Sequence, residues 1–186
     1  LDTMVIELPD PKFNENLNSS IRERLEPTPD GFEKFFNTYS GRILQPVHKD
    51  LVTQALDSTR VLLNIPPRHA KSTIFSVWFP IWLVARNRDI QIIICSKTAD
   101  LAKKFTNEIA YNLSYNTKLI ADFGRFRPEL ADHPWRPNSG ELMVEGRRRE
   151  VKSGDLTIQV RGALQQILGM EADWVIVDDA VSRENC

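Results

Sequence analysis

The sequence predicts an α/β fold with a mainly parallel central sheet flanked by helices. Three observations predict it. Val61 to Ile65 is an apolar, β-type run that enters a proline-stiffened loop and then Lys71-Ser72-Thr73 at a helix start. Ile92 to Cys95 gives four successive apolar residues, and an amphipathic segment over 96–114 follows. Asp173-Trp174-Val175-Ile176-Val177 is a further buried-strand pattern, closed by Asp178 and Asp179. Strand, helix, strand, helix with short connections is the order of a parallel sheet with right-handed crossovers.

Taken in order, residues 1–30 are polar and punctuated by Pro9, Pro11, Pro27 and Pro29, which predicts an N-terminal arm or linker with one short helix around Ser19 to Leu25. Residues 31–186 are read as a single domain. Phe32 to Tyr39 and Pro46 to Leu56 have helical spacing, with Pro46 suited to a first turn. Lys71 to Val84 reads as a buried helix bent near Pro80, and Ile90 to Cys95 as a buried strand. Leu101, Ala102, Phe105, Ile109 and Leu113 share one face of the next helix. No period is legible over 116–149 as a whole, although 141–145 and 156–160 alternate like short strands. Arg161 to Gly169 is expected as a loop or turn, and Ala172 to Val177 as the last strand.

Composition narrows the class. The chain has 186 residues and a mass of 21.4 kDa, enough for one domain with a proper core. Its net charge of −1 gives no global attraction to nucleic acid, so any DNA contact must use a local patch. Two cysteines, Cys95 and Cys186, do not make a disulfide framework and point to a reducing compartment. The longest apolar stretch, Phe75 to Ala85, is well short of the ~20 residues of a membrane span, and the first residues lack the basic region of a signal peptide. A cytosolic protein is expected.

The loop and the two carboxylates carry the chemistry. Bound triphosphate needs backbone N–H groups and the positive end of a helix, a lysine reaching the β and γ phosphates, and a hydroxyl on magnesium. Lys71 and Ser72 supply the last two. Asp178 and Asp179 would serve the metal shell and the attacking water. Together the two segments read as Walker A and Walker B of a P-loop NTPase with ATP and Mg2+ as cofactors. Counted back from Lys71, however, the two glycines of the general pattern are replaced by Ile65 and Ala70. Ala70 is therefore expected to have negative φ, with its methyl clear of the phosphate.

With these residues assembled, the chain resembles the N-terminal ATPase region of the large terminase subunit of tailed bacteriophages. The loop Pro66-Pro67-Arg68-His69-Ala70-Lys71-Ser72-Thr73 is similar to that family's glycine-poor Walker A, QIIICSKTADLAKKF over 91–105 to its second strand and helix, and RGALQQILGMEADWVIVDDAVS over 161–182 to its Walker B region. The resemblance covers Gln45 to Ser182. It implies a motor that hydrolyses ATP to drive double-stranded DNA into procapsids in the cytoplasm of the infected host. It further implies a portal protein and a small terminase subunit as partners and a ring-forming homo-oligomer. On that resemblance Gln45 contacts adenine, Arg68 bridges the γ phosphate in cis, Arg161 reaches a neighbouring subunit's nucleotide, Asp178 holds the metal shell and Asp179 orients water. The chain ends eight residues after Asp178 (186 minus 178), so further strands and a nuclease domain are expected outside it.

Plainer readings stand beside these. Gln45 can be a solvated residue at a helix start, Arg68 a loop-packing or ion-paired residue, and Arg161 a solvated one. Arg147 to Arg149 with Lys152 can touch DNA phosphates or form a solvated turn. His69 and His133 are not read as metal ligands, and Trp78 and Trp82, four apart, are read as core. Glu184 competes with Asp179 as the catalytic carboxylate. A helicase-like nucleic-acid-stimulated ATPase and a non-catalytic scaffold module are the alternative functions.

Overall fold

The computed structural model describes residues 18–63, 66, 68–129, 134–147, 156–162 and 171–178. Three helices come first: α1 (Ser19–Leu25), α2 (Pro29–Ser40) and α3 (Pro46–Asp57). Their starts follow from local chemistry. The Asn18 side chain accepts from the Ile21 N–H, and Thr28 accepts from the Gly31 N–H with Pro29 in the first turn. The expected arm is therefore packed from residue 18 onward. Leu25 is buried, and Trp82 Nε1 and Arg86 Nε donate to the Arg24 and Leu25 carbonyls at 2.9 and 2.8 Å. Pro27 and Pro29 separate two docked helices rather than loosening the chain.

Val61 to Leu63, expected to open a strand, carry none; Leu62 is 94% exposed, and Ile65 lies outside the described residues. A strand requires a neighbouring ladder, and an apolar run cannot supply one alone. Helical backbone begins at Lys71 and runs through a π-helical segment, Thr73–Trp78, into α4 (Phe79–Arg86). Pro80 explains the widened turn. It has no N–H, and in a regular α-helix its ring would meet the Ser76 carbonyl four residues back. The chain avoids that clash with a bond from the Phe79 N–H to the Ile74 carbonyl, five residues back.

The remaining elements are β1 (Ile92–Ser96), α5 (Ala99–Tyr115), α6 (Thr117–Phe123), β2 (Trp135–Arg136), a 3₁₀ turn at Pro137–Ser139, β3 (Glu141–Leu142), β4 (Ile158–Gly162) and β5 (Trp174–Asp178). They form one sheet in the order β2-β3-β4-β1-β5. β1 pairs in parallel with both β4 and β5, whereas β3 is antiparallel to β2 and β4. The expected mainly parallel sheet is thus mixed. The short turn at Pro137–Ser139 returns the chain as a hairpin, which only antiparallel strands permit. Arg161 and Gly162, expected in a loop, end β4.

One sheet face is covered by helices. Ile92 and Ile94 join the core with Ala102, Ile109 and Leu113 of α5, and the Trp174 ring lies 5.1 Å edge-on from Phe79. The alternate residues of β5, Val175 and Val177, are 50% and 61% exposed on the other face. The helical layer is knitted by an aromatic cluster in which Phe32 meets Phe79 and Trp82 at 5.6 and 5.4 Å. Trp78 packs edge-on against Phe36, so both tryptophans are core, as their spacing predicts. No helix among the described residues is long and apolar enough to cross a membrane.

Candidate functional site

The candidate site is built where the helix that follows the loop meets the carboxyl end of β5. Arg68 and Ala70 have left-handed backbone, with φ of 68° and 55°. This corrects the expectation for Ala70, which occupies the glycine position of the loop in the glycine conformation. The shape is held from outside the loop. The buried His48 of α3 contacts the His69 carbonyl through Nε2 at 2.9 Å, so that nitrogen must carry a proton to donate. The Ala70 carbonyl then accepts from the Ile74 N–H at 3.0 Å and launches the helix.

A left-handed non-glycine residue costs about 1–2 kcal/mol, and alanine recovers about 0.4–1 kcal/mol of that through the unfolded chain. Ala70→Gly is therefore expected to stabilise the protein by roughly 0.5–1 kcal/mol, seen as a higher urea midpoint. A lower midpoint would mean that residue 70 is right-handed in solution.

The helix that starts at Lys71 is tied directly to the end of β5. Ser76 Oγ, buried, donates to Asp178 Oδ2 at 3.0 Å, and Asp178 is itself only 8% exposed. Ser76 lies five residues beyond Lys71, about 7.5 Å along a helix axis, so the loop and the carboxylate occupy one end of the sheet. That end is the carboxyl end of the parallel strands, where open α/β sheets place ligands. One register row brings Gly162, Ser96 and Asp178 side by side across β4, β1 and β5. Ser96 is fully buried and its Oγ has no hydrogen-bond partner among the described residues. Gly162 is closely approached where it stands, since a Cβ there would lie 3.1 Å from the Ala99 nitrogen, a tight contact.

The other predicted residues divide clearly. Lys71, Ser72 and Thr73 are half-buried at the helix start, and Pro66, Arg68, His69 and Ala70 are exposed. Gln45 is exposed immediately before α3, one turn from His48, and its side chain makes no cap. Ser72, assigned to the metal, is not the hydroxyl on Asp178; Ser76, four residues on, is. Arg161 pairs in register with Cys95 and Val177, so it belongs to the sheet face opposite Asp178. Its guanidinium donates to the Val160 carbonyl and to Gln159 Oε1 at 2.7 and 3.0 Å. On that face burial pushes the Cys95 thiol above its usual range, partly offset by the Arg161 charge. Pro67, His133, Arg148, Arg149, Lys152, Asp179 and Glu184 lie outside the described residues.

The residues present fit a hydrated magnesium ion bound with a nucleotide. Magnesium favours one or two carboxylates with waters and phosphate oxygens over a full cage of protein ligands. Asp178 offers an oxygen that accepts no hydrogen bond from the described residues, beside the unsatisfied Ser96 hydroxyl. No group of three or more His, Cys, Asp or Glu side chains suited to a metal occurs among the described residues. Ser76 and His48 were not singled out by sequence reasoning. A serine one turn beyond Ser72 and four residues before a proline was the available signal for the first; the second needed the tertiary fold. No family model, curated protein or solved structure matches the chain.

Proposed function

We propose that this chain is a nucleotide-binding P-loop ATPase region, and that it belongs to the DNA-packaging motor of a tailed phage, the large terminase subunit. The observation that carries the nucleotide reading is the Ser76–Asp178 hydrogen bond, which joins the helix opened by Lys71 to the carboxylate end of β5. Around that joint are a helix start suited to anionic phosphate, a lysine, and hard oxygen donors suited to magnesium. The packaging reading rests on the ordered resemblance of three segments, with double-stranded DNA, the portal and the small subunit as partners.

The mechanism follows from the roles of this chain's residues. Lys71 neutralises β- and γ-phosphate charge, Ser72 and Asp178 hold the metal shell, Asp179 orients the attacking water, and Arg68 offers a planar guanidinium to developing phosphoryl charge. Bound magnesium supplies charge neutralisation of the phosphate oxygens. Ser76 fixes which Asp178 oxygen faces the helix, leaving the other to the metal shell.

Calorimetric titration of Mg-ATPγS into the chain and into Lys71→Ala tests the reading. Saturable binding that the substitution abolishes is expected. Equal binding by both, or by neither, rejects a working phosphate loop. Binding of the intact motor to a procapsid portal separates packaging from a helicase-like activity.

A further inference from the structure

We propose that Ser96 is a positioning residue for a water of the divalent cation's shell at Asp178, an inference that rests on the nucleotide reading above. Ser96 is the last residue of β1 and the register neighbour of Asp178, so both side chains leave the same sheet face from strands about 4.8 Å apart. Ser96 is fully buried, yet its hydroxyl has no partner among the described residues. A buried polar group without a partner opposes folding.

Ser76 shows the contrast within the same site. It is equally a buried serine, and its hydroxyl is satisfied by Asp178 Oδ2 at 3.0 Å. The other Asp178 oxygen accepts nothing from the described residues. On the β4 side the start of α5 closes over Gly162, with the Ala99 nitrogen 3.1 Å from where a Cβ would stand. On the other side the register neighbour of Ser96 is Asp178.

The chemistry of a cation-bound water matches that gap. Such a water has its lone pair on the metal and two O–H groups to donate. One donates to the open Asp178 oxygen and the other to Ser96 Oγ, giving the water the three partners that ordered buried waters usually have. Ser96 then orients the shell without touching the phosphates. A hydroxyl that has no partner among the described residues would gain one from such a water.

The test compares the wild-type chain with Ser96→Ala, using Mn2+ and ATPγS as probes. Thermal melting without ligand, ATPγS binding in EDTA, and the Mn2+ dependence of ATPγS binding are measured on both. The expected result is a melting temperature equal to or above wild type, unchanged metal-free affinity, and an Mn2+ midpoint about tenfold higher, the lower end for loss of an outer-shell partner. An unchanged midpoint with normal wild-type binding overturns the role of Ser96 and leaves the nucleotide reading standing. A lower melting temperature with proportionate loss of metal-free affinity assigns Ser96 to the core instead. A wild-type chain that binds no ATPγS with or without Mn2+ overturns both readings.

Discussion

Trp82→Ala is expected to lower stability by about 3–5 kcal/mol, the usual range for emptying a fully buried tryptophan site. Trp82 has no exposed surface. It packs against Phe32 and Phe79 at 5.4 and 5.6 Å, and the Arg86 guanidinium lies 4.6 Å from its ring centre. The indole also donates to the Arg24 carbonyl at 2.9 Å, so its removal strips the joint between α1 and α4 of both an apolar contact and a hydrogen bond. For a domain of this size each kcal/mol shifts the melting temperature by roughly 2–4 °C, so a fall of about 10 °C is expected. Trp82→Phe separates the two contributions: it restores most of the packing but leaves the Arg24 carbonyl unpaired, which costs about 1–3 kcal/mol. A loss below about 1 kcal/mol in the alanine variant would show that α1 is not docked on α4.

Asp178→Asn is expected to remove metal-dependent nucleotide binding while leaving the fold intact. The substitution is nearly isosteric, and the asparagine carbonyl can still accept from Ser76 Oγ. What disappears is a carboxylate charge, 8% exposed, which the proposed function assigns to a cation's shell. Loss of an outer-shell partner costs about 10–100-fold in metal affinity, and the lost charge places Asp178→Asn at the upper end of that range. Midpoints in Mn2+ titrations of ATPγS binding, set against urea midpoints of the unliganded proteins, provide the check. A variant that keeps the wild-type Mn2+ midpoint would remove Asp178 from the metal role, and one that unfolds at lower urea would make the Ser76 bond structural.

Much of the scaffold was legible because it rests on local chemistry. The short helix at Ser19–Leu25, the helix opened by Pro46 and the buried face of α5 follow from caps and a 3.6-residue period that adjacent residues carry. α6 is only seven residues long, too short to show a period, and its start depends on the Asn116 side chain accepting from the Leu119 N–H. The strand expected at Val61 failed for a different reason: β propensity describes a surface awaiting a partner, and the partner is set elsewhere in the chain. At the candidate site, the places of Lys71 at a helix start and Asp178 at a strand end could be read from residue type and position. The Ser76 contact could not, because the widened turn ahead of Pro80 determines which serine faces β5.

The contact between His48 and the loop has a consequence for how such a loop is encoded. It ends on the carbonyl of residue 69, not on a side chain, and so does not depend on which amino acid stands there. A glycine-rich loop records its shape in its own letters. This one records part of it in a helix 21 positions upstream, where a pattern confined to the loop never looks. At residue 69 the loop is thus anchored by α3, while Arg68 and Ala70 on either side carry the left-handed backbone themselves.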